Sequence, residues 1–193
     1  MSEFIKEQLF DYICQDQLRN KLGKLPQWLG LLMKEEVARV RLLLYCLRKY
    51  EYYDYKKHDL LWYKLLYFFW RIRFNYLSSK YNVHIPIHRI GPGLRIVHLG
   101  GAIHLNCLSI GKNCTVSAGV IVGKNGSDEK RPIIGDNVDL SVGSKIIGKV
   151  RIGNNTIVAP NSVVVKDCPE NSIVSGVPAK VICVNGKKVY SFY

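Results

Sequence analysis

No aromatic side chain occurs between Asn82 and Val189, and only two of the sixteen glycines precede Gly91. A core filled by Phe, Tyr and Trp is thus excluded for the second half of the chain, and a Gly-turn architecture for the first. Acidic residues are also scarce, with 15 Asp and Glu against 28 Lys and Arg and a net charge of +13. The excess is spread evenly, 16 cations to 9 anions through Arg89 and 12 to 6 after it, so no single basic groove for nucleic acid is marked. Aromatics segregated from the second half's cations also exclude a stacking platform for single strands. An anionic ligand or an anionic membrane surface fits this charge. Six cysteines lack any CxxC or metal-finger spacing, which points to reduced thiols and a cytoplasmic protein. The first residues are acidic and amphipathic rather than basic then apolar, so no secretory signal is expected.

The first 80 or so residues read as helical. Ser2 can cap a segment through about Arg19. Pro26 suits a first-turn position, after which Trp28, Leu32, Val40, Leu44 and Leu47 share one helical face to about Tyr50. The charged stretch Glu51 to Asp59 reads as a loop, and Leu60 to about Ser79 as a third helix. No uninterrupted apolar run is long enough to span a bilayer, since Leu60 to Phe74 is broken by Lys64, Arg71 and Arg73. Two readings of that helix compete. The favoured one buries it against other helices or a neighbouring subunit; the other lays it at a membrane interface, with its cations reaching the headgroups.

From Ile110 to Cys168 an aliphatic residue stands at every sixth position: Ile110, Val116, Val122, then Ile134, Leu140, Ile146, Ile152, Val158 and Val164. The polar segment from Asn125 to Arg131 alone breaks the beat. A fixed period means stacked units, and six is neither a helical period nor strand alternation. Each unit is therefore a short strand and a corner with its aliphatic side chain inward. Mostly small residues follow each anchor, and four residues past it come Cys114, Val120, Val138, Ser144, Val150, Thr156, Ser162 and Cys168, sized to stack inside a narrow prism.

This pattern resembles the hexapeptide-repeat acyltransferase superfamily, whose members are left-handed parallel β-helices of triangular section. Ser175-Gly176-Val177-Pro178-Ala179-Lys180-Val181-Ile182 is similar to the family's end cap. Gly91-Pro92-Gly93-Leu94-Arg95-Ile96-Val97-His98 resembles the opening coil of the serine acetyltransferase branch. The resemblance implies a left-handed parallel β-helix over residues 83–183, following an N-terminal α-helical domain over 1–82 and preceding a tail at 184–193. It also implies that His98, at the end of the Gly-Pro-Gly coil, is the general base that removes a proton from an acceptor hydroxyl.

Three departures turn the expectation away from serine. The serine enzymes carry Asp before the catalytic His and another upstream, where this chain has Val97 and Val83; they also place a second His in the polar insertion, where this chain has Lys130-Arg131-Pro132. The short helical segment with its Gly-Pro-Gly coil looks more like the capsular or exopolysaccharide O-acetyltransferases, so a sugar hydroxyl is the expected acceptor. Serine and an amino sugar are the alternatives. The resemblance further implies acetyl-CoA as co-substrate without a metal, held in a groove of a homotrimer. Ser141, Gly143 and Pro160 match the corners that meet its pantetheine arm, Lys166 and Lys180 the basic positions near its phosphates, and Gly123, Lys124 and Arg131 bound the insertion over the site. Two readings of other classes compete with the transferase. A zinc hydratase on this scaffold would use His98 and His104 but lacks a third histidine at suitable spacing. A non-catalytic membrane scaffold would rest on the aromatic helix and positive charge; for the enzyme itself, the same helix allows a cytoplasmic protein to work at the inner face of the membrane.

Overall fold

The computed structural model describes residues 2–21, 26–32, 35–127 and 130–189. Four helices come first: α1 (Ser2–Arg19), α2 (Gln27–Leu32), α3 (Glu36–Lys56) and α4 (Leu61–Tyr81). The single helix expected from Pro26 to Tyr50 is two. Trp28 and Leu32 on α2 are exposed, whereas Val40, Leu43, Leu44 and Leu47 on α3 are buried at a spacing of three and four, so the two sets do not share one face. Helix α3 also runs through the stretch expected to be a loop. Its Glu51 carboxylate is neutralised within the helix by Arg48 one turn earlier, at 2.9 Å, so the charged stretch continues as helix. Asn82 ends α4 in the left-handed conformation (φ 54°) and donates its N–H to the carbonyls of Ser78 and Ser79.

The repeat then winds into a triangular prism. All nine anchors, Ile110 through Val164, are buried, as are the eight stacking residues from Cys114 to Cys168. Burial pushes the thiols of Cys107, Cys114 and Cys168 up to about 11, so they act as compact hydrophobes. Successive anchors turn through three parallel sheets. One face stacks Val83–His84, Ile103–Leu105, Ile121–Gly123, Lys145–Ile147 and Val163–Val164. A second stacks Ser109–Ile110, Ile133–Ile134 and Arg151–Ile152. The third stacks Arg95–Val97, Thr115–Ser117, Asp139–Leu140, Ile157–Val158 and Ser172–Gly176, then turns antiparallel through Ala179–Val184 and Lys187–Lys188. The polar insertion lies between the first two faces and leaves register intact, so Val122 still pairs with Ile146.

One corner is built of asparagines. Asn113, Asn137, Asn155 and Asn171 all take a positive φ between 52° and 57°, which Asn tolerates better than other side chains. Their amides form a ladder, Asn137 to Asn155 at 3.0 Å and Asn155 to Asn171 at 2.8 Å.

The first coil has no coil above it, and helical side chains supply its missing hydrogen bonds. On the Arg95–Val97 face, Asp16 accepts from the Leu94 amide (2.9 Å), and Asn20 accepts from Ile96 (3.2 Å) while donating to the Leu94 carbonyl (2.8 Å). Arg48 donates to the carbonyls of Ile90 (2.9 Å) and Gly91 (2.8 Å). Ser78 donates to the Val83 carbonyl. Arg48 is 1% exposed and also ion-pairs with Asp16 at 2.8 Å and Glu51 at 2.9 Å. Desolvation raises the Asp16 carboxyl above its ordinary value, against the opposing pull of the Arg48 guanidinium. Arg48→Ala, which strands two buried carboxylates, should destabilise the protein by about 3–5 kcal/mol in urea unfolding.

Candidate active site

Residue His98 follows the strand Arg95–Val97 and adopts φ 64°, a region uncommon for non-glycine residues and costly unless the surroundings hold it. Its imidazole is 73% exposed, and its Nδ1 lies 3.3 Å from Oε2 of Glu36 at the first turn of α3. The other oxygen of Glu36 accepts the backbone N–H of Leu99. The carboxylate thus clamps the residue after the imidazole as well as the ring. The Leu99 N–H and then His98 hold the Glu36 carboxyl below its ordinary value of 4.5, against its modest desolvation. An ionised carboxylate only accepts, so Nδ1 donates to it, and in the neutral ring Nε2 is then the nitrogen that carries the lone pair. That is the arrangement of a general base. Glu36 was not found in the sequence, where nothing in the spacing links position 36 to position 98.

Beside the imidazole is a cleft of about 590 Å³ between the end of α1, the start of α3 and the first strand of the third face. It is lined by Leu18, Asn20, Lys21, Val37, Arg95 and Ile96 together with Glu36 and His98. A smaller cavity of about 310 Å³ lies on another side, lined by Tyr12, Arg48, Glu51, Tyr55, His88 and Gly91 among others. Its His88 also has a carboxylate partner, Asp54, but the His88 side chain is only 25% exposed and lies against Tyr55, whereas the imidazole of His98 is open, so the cleft at His98 is the stronger candidate.

The other histidines have different surroundings. Nε2 of His88 lies 2.9 Å from a carboxylate oxygen of Asp54, and its ring is tilted against Tyr55 at 4.5 Å. His84 and His104 pair ring to ring across adjacent coils, at 5.4 Å. Among the described residues, no group of three or more His, Cys, Asp or Glu is arranged to hold a metal ion.

The remaining candidates fall on two corners and the closing hairpin. Ile96 is in register with Val116, and that row continues through Leu140 and Val158. One step past these strands, His98 therefore shares a corner with Ser141, Gly143 and Pro160, which lie on later coils spaced about 5 Å apart. Gly143 there adopts φ 69°, and a Cβ would collide with the Asn161 side chain, so the position demands glycine. Gly123, Lys124 and Lys166 occupy the next corner, with Arg131 at the end of the insertion. Both corners border the same face. Lys180 lies apart, exposed on the antiparallel strand opposite Ser175.

No family model matches the chain. It is 34% identical over 116 residues to the serine acetyltransferase of Staphylococcus epidermidis, and to that of Staphylococcus aureus, covering 58% of this chain. The match spans only 54% of those relatives, about half their length. Among solved structures, the soybean serine acetyltransferase apoenzyme superposes with TM-score 0.66 at 22% identity, covering 91% of this chain and 69% of that one. The Neisseria gonorrhoeae serine acetyltransferase in complex with serine gives TM-score 0.61 at 26% identity, covering 94% and 70%. These likenesses support the hexapeptide-repeat acyltransferase superfamily and its left-handed β-helix after a helical region.

They also correct the expected acceptor. The relatives and neighbours are serine acetyltransferases, so the sugar hydroxyl of a surface polysaccharide is set aside. The absence of Asp at Val83 and Val97 had weighed against serine, but the imidazole has a carboxylate from Glu36 instead.

Because Glu36 titrates lower in the folded chain than in the unfolded one, its brace is complete above about pH 4.5 and is lost as pH falls through the depressed value. Glu36→Ala should remove the Nδ1–H preference of the His98 ring at neutral pH and the exchange protection of the Leu99 amide. Nitrogen-15 NMR reads both.

Proposed function

We propose that the protein is an acetyl-CoA-dependent O-acetyltransferase whose acceptor is the hydroxyl of serine. The observation that carries this reading is the exposed His98 imidazole, braced by Glu36 at the mouth of a cleft, in a chain whose curated relatives are serine acetyltransferases. The donor is supported by a serine acetyltransferase in complex with CoA, which shares the fold over 94% of this chain and 72% of its own (TM-score 0.59, 20% identity). Nε2 of His98 takes the hydroxyl proton as the oxygen attacks the thioester carbonyl. The carbonyl oxygen becomes an oxyanion, the thiolate then leaves, and His98 returns its proton to give CoA thiol and the acetyl ester. Lys21 and Arg95 line the cleft and offer cations to the acceptor's carboxylate.

In this reading Ser141, Gly143 and Pro160 meet the pantetheine arm on the corner shared with His98, while Lys166 and, from the closing hairpin, Lys180 serve the phosphates. Gly123, Lys124 and Arg131 bound the insertion over the site. The chain assembles as a homotrimer, because the prism leaves Val142, Ile157 and Val165 between 41% and 49% exposed on its flanks and corners. Light scattering should return three times the 22.1 kDa chain mass. A monomer with full activity overturns the shared groove.

Incubation with acetyl-CoA and a panel of acceptors, followed by thiol release, should give the highest rate with serine. A sugar outrunning serine overturns the acceptor. His98→Ala should lower turnover on the order of 10²–10⁴-fold with acetyl-CoA binding retained. Glu36→Ala should cost on the order of 10–100-fold in kcat, the usual effect of losing a group that orients a histidine, and Glu36→Asp should restore part of it. Parent-like turnover in the His98 variant removes the base.

A further inference from the structure

Helix α4 has two apolar faces and only one is covered. Tyr63, Leu66, Tyr67, Trp70, Phe74, Leu77 and Tyr81 point toward α3 and the first coil, where Trp70 meets Tyr45 edge-on at 5.7 Å and Phe74 packs on Tyr50. On the opposite side Leu61, Trp62, Leu65, Phe68, Phe69 and Ile72 are 44–76% exposed, and Tyr76 continues the row at 63%. At about 100° per residue these seven positions form one stripe roughly 120° wide. Its borders are cationic: Lys64 and Arg71 fall along one edge, Arg73 and Lys80 along the other. The helix contains no acidic residue over its 21 positions. Nearby Asp54 and Asp59 are taken up by Lys57 and Lys56, and among the described residues no carboxylate ion-pairs with Lys64, Arg71, Arg73 or Lys80.

Charge decides what covers such a stripe. Laying α4 against α4 of a second copy sets two groups of four cations beside one another with no acid on either helix. An anionic bilayer answers both features at once, since acyl chains receive the aromatic and aliphatic stripe while headgroup phosphates meet cations on both borders. A groove of about 540 Å³ at the start of the helix combines Lys57, Lys64 and Arg71 with Leu60, Leu61 and Phe68, and Asp59 at its rim, a mixed lining suited to a lipid phosphate above its chains. No helix among the described residues is long and apolar enough to cross a membrane, so the contact is in the plane of the surface.

We propose that the exposed face of α4 docks the protein onto anionic membranes, a property independent of which acceptor the site acetylates. The test is co-sedimentation of the full chain with phosphatidylcholine vesicles, with and without phosphatidylglycerol, at low and high salt. Binding should require phosphatidylglycerol and fall with salt. Replacing Lys64, Arg71 and Arg73 together by Gln should weaken it about a hundredfold, roughly fivefold for each cation near the surface. Leu65→Asp and Phe69→Asp lie on the exposed face, so they should abolish binding while keeping the parent's melting temperature and acetyl transfer. Absence of parent binding at low salt overturns the proposal, as does equal binding to neutral vesicles. So does a change in oligomer mass on Leu65→Asp without any vesicle binding, the signature of a protein interface.

Discussion

An open end of a parallel β-helix presents backbone N–H and carbonyl groups with no coil to pair them, and burying such groups unpaired costs more than a small domain can tolerate. This constraint organises the first half of the molecule. Asp16, Asn20, Arg48, Glu51 and Ser78 are the buried polar side chains among the described residues of the N-terminal helical region, and each contacts the first coil or holds a side chain that does. The aromatic helices are therefore bound to the solenoid through directed polar contacts as well as through apolar packing. The buried apolar side chains form one continuous cluster from Val40 to Val174.

The geometry of the candidate site follows from that attachment. Glu36 and His98 are 62 residues apart and meet because α3 is held at both ends of the problem: Arg48 and Glu51 fix it to the first coil, and Glu36 reaches the residue just past the first strand. A loop-borne carboxylate would approach the imidazole in many orientations. Carried on the first turn of a 21-residue helix, it approaches in one. The exposure of His98 is consistent with a base whose other ring nitrogen faces an incoming acceptor.

The solenoid was legible because its period is imposed residue by residue: every coil must place an aliphatic side chain inward at each face, so Ile110 through Val164 announce the prism without help from tertiary contacts. The asparagine corner at Asn113, Asn137, Asn155 and Asn171 was harder to see, because its members stand at unequal spacings along the chain. Helix boundaries were less legible. The end of α3 depends on an internal Arg48–Glu51 pair that makes a charged stretch look like a loop, and the faces of α2 and α3 diverge although their apolar spacing runs on. The branch was misread for a related reason. Motif comparison asks whether an acid stands at position 83 or 97, whereas folding delivers one from position 36, and only three-dimensional structure reveals the substitution.

Stacking by backbone pairing has no inherent length limit, and a prism of identical rungs with two free ends would be a template for fibres. Here growth is terminated chemically at each end. The upper rung is saturated by side chains rather than by backbone, so an incoming strand finds its partners already taken. At the lower end the longest face reverses direction at Ser172–Gly176, and its outermost described strand displays Lys187 and Lys188 side by side. A second molecule would have to desolvate adjacent lysines and pair in the wrong polarity to continue the stack. The same geometry that makes the coil endlessly repeatable is thus confined to a finite unit by two different stoppers.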